Sequence, residues 1–239
     1  MQFPPTADRA RIAEIFSSLQ GEGPRMGERH LFIRFEECHI HCRYCDELGK
    51  PAQDWELERV LAEVERLERE EGPHSFVSFT GGEPLLYLRF LTPLAEALRA
   101  KGFRIYLETD GILWQALSQF GPLADCIAMD MKPSSVTGEK NFDADHERFL
   151  KIALQYPGEL FVKIVLDKGI DLSEFDAQVE ILARLAPEMP LVLQAVSPGP
   201  GQPEEPAVES LLYELQKMAG RRLRNVRILP RLHKLLNLR

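Results

Sequence analysis

Three cysteines, Cys38, Cys42 and Cys45, fall within eight positions of this 239-residue chain. They form the segment Cys38-His39-Ile40-His41-Cys42-Arg43-Tyr44-Cys45, a C-x3-C-x2-C spacing. Thiolates are soft ligands and suit iron–sulfur clusters or zinc. A tight loop with three of them can hold three corners of a cubane 4Fe–4S cluster, which usually takes four cysteines. The remaining cysteine, Cys126, lies in an apolar run with no ligand pattern beside it and reads as a core residue. One iron would then keep an open position for a substrate or cosubstrate. Zinc is the alternative, with His39 or His41 completing a Cys3His set. Both histidines are adjacent to the cysteines, however, and no second C-x2-C or H-x3-H occurs.

A second segment, Thr80-Gly81-Gly82-Glu83-Pro84, follows the apolar run Ser75 to Phe79. Glycines let a ligand approach the backbone closely. The exposed carbonyls and Glu83 could accept hydrogen bonds from an ammonium group. Alone, such a segment is a common turn. It gains weight about 35 residues after the cysteines, where the two could serve one site.

The elements that must position these residues alternate along the chain. Strands are expected at Leu31 to Phe35, Ser75 to Phe79, Phe103 to Leu107, Asp125 to Met129, Leu160 to Leu166, Leu191 to Val196 and Asn225 to Leu229. Helices are expected over Trp55 to Leu67, Leu85 to Ala100, Leu113 to Phe120, Asp143 to Gln155, Ser173 (as cap) to Leu185, Ala207 to Ala219 and Arg231 to Leu238. Ser197 to Pro206, with four prolines, reads as a loop. Strand–helix–strand repetition implies parallel pairing through right-handed crossovers. The expectation is an α/β fold, an incomplete (β/α) barrel of mainly parallel strands, as a single domain over residues 1–239. Ligands gather at the C-terminal strand ends of such folds. The cysteines, Thr80 to Pro84, Glu108-Thr109-Asp110-Gly111 and Asp130-Met131-Lys132 all follow expected strands, which favours one shared site.

Composition narrows the function classes. Hydrophobic residues make up 44% and charged residues 28% of the chain, the balance of a globular protein. A net charge of −8 argues against general affinity for nucleic acid or anionic membranes. The basic run Arg221-Arg222-Leu223-Arg224 reads as a solvated turn. No apolar run approaches the roughly 20 residues that span a bilayer. The N-terminus lacks signal-peptide features, so a cytoplasmic location is expected.

The cysteine spacing together with Thr80 to Pro84 resembles the radical S-adenosylmethionine superfamily. Glu14 to Gly23, with its core Leu19-Gln20-Gly21-Glu22-Gly23, resembles the N-terminal signature of the 7-carboxy-7-deazaguanine synthase family within it. So do Gly27, Phe32-Ile33-Arg34, Cys45-Asp46, Glu108 to Gly111 and the ending Leu229-Pro230-Arg231-Leu232-His233-Lys234. The resemblance runs from about Glu14 to the C-terminus. It implies a radical SAM fold. It also implies the rearrangement of 6-carboxy-5,6,7,8-tetrahydropterin to 7-carboxy-7-deazaguanine with loss of ammonia, on the way to queuosine. The implied cofactors are a 4Fe–4S cluster on Cys38, Cys42 and Cys45, S-adenosylmethionine and Mg2+. In the resembled family the cosubstrate is cleaved to a radical that abstracts the hydrogen at C6 and is used catalytically, and the same is implied here. A flavodoxin or ferredoxin would supply the electron, and a homodimer is implied.

Carried over residue by residue, Leu19, Gln20, Gly21, Glu22 and Thr80 would contact the pterin. Arg34 would hold its carboxylate, unless it forms an ion pair with Glu36 or Glu83. Tyr44, Asp46, Gly82, Glu83, Lys132 and Gln194 would contact the cosubstrate. His233, near the terminus, reads as structural. The chain departs from the family in several places. Glu47 stands where a threonine or serine hydroxyl binds magnesium, and as a carboxylate it could still hold the ion. Glu37 replaces a glycine, Arg231 a glutamine, and Ala195 a proline. Two further readings stay open: a glycyl-radical activase of the same build, and a non-catalytic zinc module.

Overall fold

In the computed structural model, residues 8–47, 49–197 and 206–238 are described. The chain opens with strands β1 (Arg9–Leu19), β2 (Arg29–Phe35) and β3 (Gln53–Glu56). Helix α1 (Leu57–Glu71) leads to β4 (Phe76–Gly81), and a 3-10 turn at Pro84–Tyr87 opens α2 (Leu88–Ala100). Then come β5 (Ile105–Thr109), α3 (Trp114–Phe120), β6 (Cys126–Met131), α4 (Ser134–Thr137) and α5 (Asp143–Ala153). The series ends with β7 (Glu159–Leu166), α6 (Leu172–Leu185), β8 (Leu191–Ala195), α7 (Pro206–Ala219), β9 (Val226–Ile228) and α8 (Leu232–Leu235).

All strands among the described residues join one nine-stranded sheet in the order β3-β1-β2-β4-β5-β6-β7-β8-β9. From β2 to β9 every neighbour is parallel, while β1 pairs antiparallel with both β2 and β3. The sheet does not close, which makes the fold the expected incomplete barrel. Each expected strand is present. The additions are β1 and β3, which extend the open edge.

Two-residue alternation divides the work of the strands. Leu31, Ile33, Val77, Phe79, Leu107, Met129, Val162 and Ile164 are buried in the main core, which the helices cover. The intervening residues face the other way. Deep in the barrel they are apolar: Phe76, Tyr106, Cys126, Ala128, Phe161 and Val192 form a plug. Further along the same strands the inward positions turn polar: Arg34, Thr80, Glu108, Asp130, Lys163 and Gln194. Register sets these side by side, with Arg34 opposite Thr80 and Asp130 opposite Lys163. An apolar floor under a polar rim is thus written into the strand pattern. Cys126 belongs to the floor, and burial pushes its thiol up to about 12.

One local detail departs from expectation, and the basic run keeps its expected surface turn. Asp171, not Ser173, caps α6, and its carboxylate accepts from the Ser173 N–H. The basic run is engaged at the surface, Arg222 with Asp176 and Glu180 and Arg224 with Glu188. Most of the expected proline-rich loop, residues 198–205, lies outside the described residues. Among the described residues, no helix is long and apolar enough to cross a membrane.

Candidate active site

Among the described residues, one cavity of about 450 Å3 opens at the C-terminal strand ends. It gathers nearly every residue singled out from the sequence. Leu19 to Glu22, Arg34 and Thr80 line it, as do Cys38, Cys42, Tyr44, Cys45, Asp46, Glu47, Gly82 and Lys132. Glu83 and Gln194 are the two that do not.

The cysteine loop follows β2 and is anchored from several sides. Arg43 N–H donates to the Thr137 carbonyl at 2.9 Å, and its guanidinium reaches the Ser135 and Val136 carbonyls. The His41 N–H donates to Glu139 at 2.7 Å. His39 Nε2 lies 2.5 Å from Asp110 Oδ2. Ile40 and Cys42 pack on Ile112 and Phe142, with Cys38 and Tyr44 alongside. The glycine pair gives the fourth anchor. Gly82 N–H donates to the Phe35 carbonyl, and Glu83 N–H to the Glu37 carbonyl at 2.7 Å. A Cβ on Gly82 would stand 2.0 Å from the Glu37 carbonyl oxygen. Gly81, at φ +109°, leaves no room for one either. These glycines therefore let β4 end directly against the cysteine loop, a role beyond ligand approach.

Cys38 is half-buried, Cys42 buried and Cys45 exposed. Burial pushes the Cys38 thiol up to about 12 and the Cys42 thiol up to about 11. Such thiols are poor nucleophiles and become thiolates chiefly when a metal takes the proton's place. The three rim one cavity. Among the described residues, no three His, Cys, Asp or Glu side chains close on a single-ion site. His39, the nearer candidate for a fourth zinc ligand, is bonded to Asp110. The donor set fits a cluster held by three thiolates.

One buried, unpaired polar atom lies on the cavity wall ready for a cosubstrate, and a second unpaired group lies behind it. Asp130 accepts from Lys132 Nζ at 2.9 Å through Oδ2, while Oδ1 is buried without a partner among the described residues. Burial lowers the Lys132 ammonium's proton affinity, but Asp130 and Tyr44 outweigh it and hold it well above the usual range. Lys132 Nζ lies 3.4 Å from the Tyr44 hydroxyl. Gln194 is buried, and both its amide atoms are likewise without described partners. Unpaired buried polar groups are costly and mark places where a ligand would complete the bonding. Glu83 corrects the sequence reading. Its carboxylate accepts from Leu85 N–H, the Thr109 hydroxyl and Asp110 N–H, and it is fully buried. It shapes the turn beneath the cavity and does not line it.

At the opposite wall, Gln20 Nε2 donates to Glu108 Oε1 at 2.9 Å, and the Thr80 hydroxyl to Glu108 Oε2 at 2.6 Å. Glu108 was quoted in a motif but not singled out, and its position at the end of β5 was the available signal. Glu22 accepts from Lys163 Nζ at 2.5 Å and from Arg231 Nε at 2.9 Å. Burial alone would raise the Glu22 carboxyl, but Lys163 and Arg231 outweigh it and hold it far below the usual range. Lys163 was missed as well; a lysine inside the apolar run Leu160 to Leu166 was the clue. The chain's end closes over this wall. Leu232 N–H donates to the Gly21 carbonyl at 2.9 Å, and His233 packs where a Gly21 Cβ would be.

Arg34 pairs with neither Glu36 nor Glu83. Its Nε meets Glu14 Oε1 and its NH1 meets Glu47 Oε1, each at 2.8 Å. The other Glu47 oxygen lies 2.8 Å from Lys50 Nζ. Both Glu47 oxygens thus lie at ion-pair distance from cations, although Oε2 makes no hydrogen bond among the described residues, and a magnesium ion there would sit against two positive charges.

The comparisons with known proteins agree with this geometry. Residues 32–177 match the family model described as the Radical SAM superfamily. A 7-carboxy-7-deazaguanine synthase of Geobacter sulfurreducens is 36% identical over 94% of this chain and 96% of the relative. One of Methanopyrus kandleri is 33% identical over 95% of this chain and 93% of the relative. The crystal structure of QueE from Escherichia coli superposes with a TM-score of 0.64 at 21% identity, over 94% of this chain and 95% of that one. The zinc-module and activase readings give way. The chain belongs to the radical SAM superfamily and, within it, to the 7-carboxy-7-deazaguanine synthase family.

Proposed function

We propose that this chain converts 6-carboxy-5,6,7,8-tetrahydropterin to 7-carboxy-7-deazaguanine with loss of ammonia, in queuosine formation. The observation that carries the reading is one cavity with three thiols on one side and the Gln20–Glu108–Thr80 cluster on the other. When bound, the reduced 4Fe–4S cluster and S-adenosylmethionine supply a radical able to abstract the hydrogen at C6.

The chain's own residues supply binding and orientation. Cys38, Cys42 and Cys45 hold three irons. Gly82, Tyr44, Asp46 and Lys132 hold the cosubstrate, with the unpaired Asp130 oxygen as an acceptor. Leu19, Gln20, Gly21, Glu22 and Thr80 frame the pterin. Glu108 fixes the Gln20 and Thr80 side chains, and Glu22, held ionised, accepts from ring N–H groups. Arg34, paired with Glu14 and Glu47, forms part of the wall that receives the carboxylate. A flavodoxin or ferredoxin donor, a homodimer and a cytoplasmic location complete the reading; magnesium has no part in it.

The test is anaerobic turnover of the reconstituted protein with reductant, S-adenosylmethionine and the carboxypterin. The expected result is 7-carboxy-7-deazaguanine and ammonia in equal amounts. Cosubstrate cleavage with no deazaguanine would refute the substrate assignment.

A further inference from the structure

At the cavity mouth, four charges alternate in sign. Glu14 and Arg34 are direct partners across the β1–β2 pairing and meet at 2.8 Å. Arg34 meets Glu47, and Glu47 meets Lys50, at 2.8 Å each. Arg34 is therefore neutralised from two sides, and opposite charges placed across strands hold it there. An incoming carboxylate would gain little from a guanidinium already shared by two carboxylates. Lys50 differs. Its side chain is 41% exposed, it lines the same cavity, and its ammonium stands 2.8 Å from Glu47 Oε2 while its three donors make no hydrogen bond to that oxygen.

A hard divalent cation at this place would need several oxygen ligands in near-octahedral array. Glu47 offers oxygens that already face a guanidinium and an ammonium. Seating the ion would break both pairs and set it against two cations.

We propose that Lys50, steered by Glu47, supplies the positive charge that reads the substrate carboxylate, and that this site takes no divalent cation. Glu47 orients Lys50 and occupies Arg34. Lys50 is the specificity-determining residue for a carboxylated substrate. The inference rests on the substrate reading above, and one arm of its test does not depend on turnover.

That arm is a Mn2+ titration of the anaerobic holoenzyme followed by electron paramagnetic resonance of free Mn2+. No ion bound per chain is expected, and Glu47→Thr, which frees Arg34 and Lys50 from their shared partner, is the comparison variant. One Mn2+ bound stoichiometrically to the parent and lost in Glu47→Gln would overturn the proposal, whatever the substrate proves to be. The second arm is kinetic, in magnesium-free buffer. Lys50→Met should raise KM for the carboxypterin about 10-fold or more with kcat little changed, and Lys50→Arg should restore it. An unchanged KM in Lys50→Met would overturn the role of Lys50. Absence of carboxypterin turnover in the parent would instead strike the substrate reading and leave the Mn2+ result standing.

Discussion

Lys163 Nζ lies 2.5 Å from Glu22 Oε2, so the lysine inside strand β7 is neutralised by the loop that leaves β1. The two residues are far apart in sequence, and neither is exposed enough for water to screen the pair. Arg231 joins from the chain's end at 2.9 Å. Removing one partner of a buried pair leaves the other charge uncompensated. Lys163→Met should cost about 3 kcal/mol of stability, the lower end of the usual range because Arg231 remains. Urea unfolding of the apo protein measures this. The double variant with Glu22→Gln should recover much of the loss, and strict additivity of the two would show that they do not interact.

Glu108 is the acceptor for both Gln20 and Thr80. Glu108→Gln replaces one acceptor oxygen by a donor and breaks that arrangement. KM for the pterin should rise by about 10- to 100-fold, since a hydrogen bond to a charged group is at stake. Reductive cleavage of S-adenosylmethionine without pterin should stay within about threefold of the parent. Steady-state kinetics and 5′-deoxyadenosine release measure the two separately.

The glycine pair can be tested through iron content. Gly82→Ala places a methyl 2.0 Å from the Glu37 carbonyl, against backbone that cannot yield cheaply. The cysteine loop must shift. Overpacking of this kind costs about 1–3 kcal/mol. Iron bound after anaerobic reconstitution should fall below half of the roughly four per chain expected for the parent. Equal iron content would show that the close approach does not position the cysteines.

His30 sets a pH dependence far from the chemistry. It is fully buried at the barrel floor, hydrogen-bonded to Ser78 at 2.7 Å. Burial pulls its pKa down from 6.5 to about 4. The folded state therefore favours neutral His30, while the unfolded chain takes up the proton first. Its contribution is fully present above pH 6.5 and is lost as the pH falls from there toward 4. The loss amounts to roughly 3 kcal/mol. In urea unfolding across pH 4 to 8, His30→Gln should flatten this slope. A residual slope belongs to His146 and His233, whose pKa values burial also lowers.

Much of this architecture was legible in the sequence because the parallel strands are apolar runs bounded by turn residues. β1 was not, for a definite reason. Its pairing with β2 shifts register between Ile12 and Glu14, so apolar residues leave the two-residue alternation that marks a strand. β3 is four largely exposed residues on the edge and carries no burial pattern. The cavity wall was legible where residues sat in motifs after strands, as with Cys38, Thr80 and Lys132. Lys163 and the pairing of Arg34 with Glu14 and Glu47 were not, because tertiary packing brings those charges together across different strands and loops. Glu83 was misread because its carboxylate folds under its own turn.

The central claim is that the cavity sets the pterin C6 against the cosubstrate's adenosyl group. The most direct measurement uses carboxypterin deuterated at C6 in anaerobic turnover, with mass spectrometry of the adenosyl moiety. The account predicts deuterium at the 5′-carbon of recovered S-adenosylmethionine. Cosubstrate cleaved to unlabelled 5′-deoxyadenosine, with the pterin returned intact and fully deuterated, would contradict it.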